Sequence, residues 1–137
     1  MLSLSKKAEY GLKALTYLST MENGRLANVS EIARSTVIPK ELLAKILSEL
    51  VKAGLAFSAP GPTGGFQLAR PASSVSLAEV LRALESRTGM IECASKNGRC
   101  TQIDTCVIRL PMARVNQRVS KILEETMLTD LLVKHKA

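Results

Sequence analysis

The sequence predicts a mainly α-helical chain with one small β-hairpin, a winged helix-turn-helix followed by a long C-terminal dimerisation helix. Three observations predict it. Apolar residues recur at helical spacing through three successive segments before Gly54. The breaker-rich run Pro60-Gly61-Pro62-Thr63-Gly64-Gly65 then separates two short strand-like stretches. An aliphatic seam returns near the C-terminus. The 137 residues are 46% hydrophobic but only 3% aromatic, so the core must be aliphatic, which favours helices.

Each element has its own signal. Ala8, Leu12, Leu15 and Leu18 give one apolar face to a helix from about Ser5 to Met21, which Asn23-Gly24 stops. Ser30 is positioned to cap a short helix, Glu31 to Ser35, burying Ile32 and Ala33. Pro39 sits where a first helical residue should, and Leu42, Leu43, Ile46, Leu47 and Leu50 supply the buried face of a third helix closed by Gly54. Leu55–Ala59 and Phe66–Ala69 are the two strands. Ser76 with Glu79 makes a capping box for a fourth helix faced by Leu77, Val80, Leu81 and Leu84. Pro111 opens a fifth helix, and Thr129 caps a last short turn through Val133. In that fifth helix Met112, Val115, Val119 and Ile122 form a narrow seam suited to packing against a symmetry mate.

These elements divide the chain into a DNA-binding unit (1–86), a cysteine loop (87–108) and a dimerisation helix with its tail (109–137). No run approaches the roughly 20 apolar residues of a membrane span. The opening MLSLSKKAEYGLKAL places lysines after the apolar start and carries an acid, unlike a signal peptide. A cytoplasmic protein is therefore expected. A nucleophile–base pairing and a phosphate-binding loop after a strand are both missing, which argues against an enzyme.

Cys93, Cys100 and Cys106 are the only cysteines, and all three fall within the fourteen residues CASKNGRCTQIDTC. The residues between them are small, polar and turn-forming, as a loop folded around something requires. In a reducing compartment such thiols are ligands more often than disulfides. They suit a soft metal or an iron–sulfur cluster, yet three is one short of a tetrahedral set. A zinc-stabilised module is one alternative, and a metal-free switch pairing Cys100 with Cys106 is another.

The net charge of +7 points to an anionic partner such as nucleic acid, although it is spread along the chain. In a helix-turn-helix the second helix enters the major groove with its N-terminal residues near base edges. Here Pro39, Lys40, Glu41, Ala44 and Lys45 occupy those positions. Lysines meet phosphates or guanine, and Glu41 can accept from cytosine. The hairpin tip, with Gly61, Thr63, Gly64 and Gly65, lets the backbone approach DNA closely. Lys6 and Lys7 add phosphate contacts beside the start of the first helix. The plain alternative is a solvated lysine face and a structural corner.

The opening LSLSKKAEYGLKAL, the wing GPTGGFQLA, the stretch SSVSLAEVLRALE and the three-cysteine loop before a long helix together resemble the IscR/NsrR/RirA family of bacterial iron–sulfur winged-helix regulators. The resemblance spans essentially the whole chain. It implies a homodimer held by the C-terminal helices, a 2Fe–2S or 4Fe–4S cluster on the cysteines, and an operator in double-stranded DNA. It also implies transcriptional control, usually repression, in response to iron, nitric oxide or redox status. There are departures. Arg109 stands where IscR-like members place a histidine, and the only histidine is His135. Some members instead take an acid from the first helix of the other subunit, and Glu9 stands at about that position. Glu92, Asp104, water or an exogenous thiol are the alternatives, and an acid in a first helical turn is favoured by the dipole in any case. Ala44 replaces an acid of the IscR-like recognition helix.

Overall fold

The computed structural model describes residues 4–22, 24–85 and 107–132. Helix α1 spans Lys6–Ser19, and the Ser5 hydroxyl caps it by accepting from the Ala8 N–H at 3.1 Å. Its buried face is Ala8, Gly11, Ala14, Leu15 and Leu18. A Cβ on Gly11 would lie 2.2 Å from Cδ1 of Leu84, so the missing side chain admits another helix at close range.

Helix α2 runs Val29–Thr36. Its cap is Asn28, not Ser30: the Asn28 Oδ1 accepts from the Glu31 N–H at 2.8 Å, leaving Ser30 exposed inside the first turn. Asn28 with Glu31 three positions on is a capping spacing, and the extended backbone at Asn28 lets its side chain reach. Val37 ends the helix in the left-handed region (φ 56°), 86% exposed.

Helix α3 spans Lys40–Lys52. Pro39 stands just before it rather than within it, because its ψ of 129° is extended while its carbonyl accepts from the Leu43 N–H at 2.9 Å. Leu43, Ile46, Leu47 and Leu50 are buried as the pattern predicts, whereas Leu42 is 38% exposed. One residue before Leu43, it lies at the margin of the inward arc.

Strands β1 (Ala56–Ala59) and β2 (Gly65–Leu68) pair antiparallel, Ala56 opposite Leu68 and Ala59 opposite Gly65. Ala27 adds an isolated bridge on the other edge of β2 by exchanging both backbone hydrogen bonds with Phe66, at 2.9 and 2.8 Å. The wing is thereby tied to the residue just before the α2 cap.

Helix α4 (Leu77–Leu84) begins with the predicted capping box, Ser76 Oγ accepting from the Glu79 N–H at 3.2 Å and Glu79 Oε2 from the Ser76 N–H at 3.1 Å. It buries Ala78, Val80 and Leu84, with Leu77 and Leu81 half-buried. Helix α5 spans Arg109–Glu125, starting before Pro111, and none of its residues is buried.

After α5 the chain turns back. The Leu77 N–H donates to the Thr126 carbonyl and the Leu128 N–H to the Val75 carbonyl, each at 2.9 Å. A 3-10 turn, Leu128–Leu132, follows. Its first turn is closed by the Asp130 carboxylate accepting from the Met127 N–H at 2.8 Å, not by a Thr129 cap. Leu128 is fully buried in the same cluster as Leu15, Ile32, Leu47, Val75 and Val80. Among the described residues no helix is long and apolar enough to cross a membrane.

Candidate DNA-binding face and metal ligands

The α2–turn–α3 unit presents one polar edge. Because α3 turns Leu43, Ile46, Leu47 and Leu50 inward, Pro39, Lys40, Glu41, Ala44 and Lys45 all stand exposed at its start. The wing tip exposes Gly61 and Thr63. Gly61 has φ 102° with open space around it, and its carbonyl accepts from the Gly64 N–H at 3.0 Å.

Gly64 and Gly65 are closely hemmed in by backbone. A Cβ on Gly64 would lie 2.1 Å from the Ala59 carbonyl oxygen. One on Gly65, where φ is 155°, would lie 2.5 Å from the Ala27 carbonyl oxygen. Both glycines are half-buried against the chain's own backbone. They permit the wing to close on itself and on Ala27, a steric demand that Gly-Gly in a hairpin does not disclose by itself.

Lys6 and Lys7 are not equivalent. The Lys6 ammonium is 3.2 Å from Glu9 Oε2, an exposed pair one turn apart. The Lys7 Nζ reaches across to Glu49, 2.8 Å from Oε1 and 2.6 Å from Oε2, joining α1 to α3. A second pair of bonds braces the α2 start: Glu31 Oε1 accepts from Tyr17 Oη at 3.0 Å and from Arg25 Nη2 at 2.5 Å. Neither bridge is visible in local sequence spacing, since each joins different elements.

Of the expected metal ligands, Glu9 lies in the first turn of α1 with its side chain 42% exposed. Cys93, Cys100 and Cys106 lie outside the described residues, as do Glu92, Asp104 and His135. The seam residues Met112, Val115, Val119 and Ile122 lie on α5, with Val115 and Ile122 left 41% and 62% exposed. Ile108, four residues before Met112, continues this face at 52% exposed, whereas Leu110, 71% exposed, stands on the opposite side of the helix. Helix α5 therefore leaves a largely exposed aliphatic face.

Comparison with known proteins agrees with this architecture. The model of the Rrf2 family, described as iron-dependent transcriptional regulator, matches residues 4–134. The HTH-type transcriptional regulator NsrR of Oceanobacillus iheyensis is 32% identical over 132 residues, covering 96% of this chain and 90% of that protein. Among solved structures, CymR (YrzC), the global cysteine regulator of B. subtilis, superposes with a TM-score of 0.79 at 24% identity, with 96% of each chain covered. IscR of T. potens superposes with a TM-score of 0.75 at 25% identity, covering 96% of this chain and 86% of that one. With the winged-helix architecture in place and the family pattern matched from residue 4 to residue 134, the chain belongs to the Rrf2 family of transcriptional regulators.

Proposed function

We propose that this protein is a homodimeric, iron–sulfur cluster-sensing regulator that binds operator sequences in double-stranded DNA, acting as a repressor that responds to iron, nitric oxide or redox status. One observation carries the reading: three cysteines within fourteen residues, just before α5, in a chain 32% identical to NsrR over nearly its whole length. The cluster ligands are Cys93, Cys100 and Cys106, joined by Glu9 of the other subunit.

The donor set fits such a group. Three soft thiolates hold a 2Fe–2S or 4Fe–4S cluster, and one carboxylate leaves a single weaker corner. Glu9 is available for this, since its ion pair with Lys6, the one it makes among the described residues, is exposed and weak. When bound, the cluster supplies a centre reactive toward nitric oxide, oxygen and iron withdrawal. The protein's part is mechanical. Glu9 sits on α1, and the Lys7–Glu49 pair two residues away ties α1 to α3. Holding or releasing Glu9 therefore bears on the helix that carries Lys40, Glu41 and Lys45. The α5 seam of Met112, Val115, Val119 and Ile122 pairs the two subunits, setting the spacing of their two α3 helices.

Anaerobic purification tests this directly. Charge-transfer absorption in the visible range, a Mössbauer spectrum of a cluster, and DNA affinity that differs with and without it support the reading. Colourless protein with stoichiometric zinc assigns the cysteines to a structural metal site. Metal-free protein with a Cys100–Cys106 disulfide assigns them to a thiol switch.

A further inference from the structure

Many cations of the described residues carry their own counter-charge. Lys6 meets Glu9, Lys7 meets Glu49, Arg25 meets Glu31, Arg70 meets Glu79, Arg82 meets Glu124 and Lys121 meets Glu125. Among the described residues Lys13, Arg34, Arg109, Arg114 and Arg118 carry none, and neither do the three lysines of α3. Those are Lys40, Lys45 and Lys52, and Lys45 makes no ion pair among the described residues even though Glu41 stands four positions before it at a favourable helical spacing. The wing tip from Ala59 to Gly65 carries no cation, so it can offer DNA only its backbone, and charged contact with phosphates falls to the helices.

The outward side of α3 is an ordered row. Opposite the buried Leu43, Ile46, Leu47 and Leu50 stand Glu41, Lys45, Ser48 and Lys52, all exposed, at spacings of four, three and four. At 1.5 Å per residue the row is about 16 Å long, enough to cross a major groove about 12 Å wide.

Ser48 is the one uncharged member of the row. Serine inside a helix commonly turns its hydroxyl back on a carbonyl of the preceding turn. Thr16, Ser19, Thr36 and Thr126 do so here, donating to carbonyls three or four residues back at 2.6–2.7 Å. Ser48 makes no such bond among the described residues and points outward between Lys45 and Lys52. A residue of modest helix propensity, with no bond to its own helix, has its hydroxyl free to donate or accept.

We propose that Ser48 is a base-reading residue of α3 and that Lys52 seats the far end of the same row on a phosphate. The DNA read-out then extends beyond the first turn of the helix. This rests on the reading that α3 docks in the major groove. A cation in the last turn of a helix also serves its dipole, so the test for Lys52 uses salt dependence.

The experiment uses the intact, anaerobically purified protein, with circular dichroism confirming that each variant folds. A random-sequence duplex library selects the preferred sites, and fluorescence anisotropy on a selected duplex across a salt series gives affinities and slopes. Ser48→Ala should lose about tenfold in discrimination at one base-pair position with the salt slope unchanged. Lys52→Ala should weaken binding to all duplexes alike and reduce the slope by about one unit. Lys45→Ala serves as the control for docking. Should Lys45→Ala lose affinity while Ser48→Ala selects the wild-type site with undiminished discrimination and Lys52→Ala keeps its slope, the row ends at Lys45 and the proposal is overturned. Should all three variants match wild type, docking through α3 itself is wrong, and the proposal goes with it.

Discussion

One oxygen of the Glu79 carboxylate joins the wing to the fourth helix. Oε2 accepts from Arg70 Nη2 at 2.7 Å and from the Ser76 N–H at 3.1 Å. Arg70 follows β2 by two residues, and Ser76 caps α4. Val75, between them, receives the Leu128 N–H. The wing, α4 and the chain leaving α5 therefore meet within ten residues, at Arg70–Glu79.

This arrangement makes stability pH-dependent. The Arg70 hydrogen bond first, then the Ser76 N–H, hold the Glu79 carboxyl below its ordinary value of 4.5. The folded state therefore binds the proton less readily than the unfolded chain. The contribution is fully present above the unfolded value and is lost as pH falls through the folded one. Glu79→Gln should lower stability near neutrality by about 1 kcal/mol, the partial exposure of the pair keeping it modest. The gap to wild type should narrow below pH 4.5, measured by urea unfolding across pH. An equal gap at neutral and strongly acid pH would count against the pairing.

Leu128 should behave as a core residue although it lies beyond the long helix. Leu128→Ala should cost about 2–5 kcal/mol, as for other buried leucines. Leu131→Ala, at a position 42% exposed, should cost far less. Similar unfolding midpoints for the two variants would contradict the packing.

Gly65 tests the wing closure. Gly65→Ala places a methyl against the Ala27 carbonyl in a backbone conformation that alanine avoids, and should destabilise by about 2 kcal/mol or more. Gly61→Ala meets open space, so only its positive φ opposes it and the loss should be near 1 kcal/mol. Denaturant midpoints ranking Gly61→Ala as the worse of the two would refute the contact with Ala27.

Val37 is a β-branched residue in the left-handed region with 86% of its surface in water. That conformation costs it roughly 1–2 kcal/mol, against about 0.4–1 kcal/mol for the greater unfolded-state freedom of glycine. Val37→Gly should raise stability by about 0.5–1 kcal/mol, with the difference taken as above. A lower melting temperature would show that the Val37 side chain contributes packing that its exposure conceals.

On the proposed cluster reading, Cys93→Ala, Cys100→Ala and Cys106→Ala should each abolish bound iron while leaving helix content and oligomeric state unchanged, because the aliphatic core and the α5 seam among the described residues are built from other side chains. Glu9→Ala should retain a cluster that is lost sooner and controls DNA affinity less. Iron content, cluster lifetime under air and operator binding read these outcomes. Wild-type lifetime and DNA control in Glu9→Ala would return Glu9 to an ordinary surface acid.

Periodicity and breakers sufficed for the elements near the sequence. The inward leucines of α3, the capping box at Ser76 and Glu79, and the Gly/Pro interruption of the wing are local patterns, because helix and strand periods repeat within a few residues. The exposure of Glu41 and Lys45 was legible for the same reason. Asn28 was readable too, since its spacing to Glu31 is a capping pattern that the neighbouring Ser30 obscured.

What only the tertiary structure decided is long-range. The Ala27–Phe66 rung, the Lys7–Glu49 bridge and the burial of Leu128 join residues 39, 42 and more than 50 positions from their partners. Such pairs have no period, so composition and spacing carry no trace of them. Leu42 and Leu43 are adjacent and chemically identical, and the direction of the core exposes one and buries the other. Gly61 and Gly65 differ likewise, one facing water and the other a carbonyl oxygen, because the chain that folds back on the wing comes from before α2.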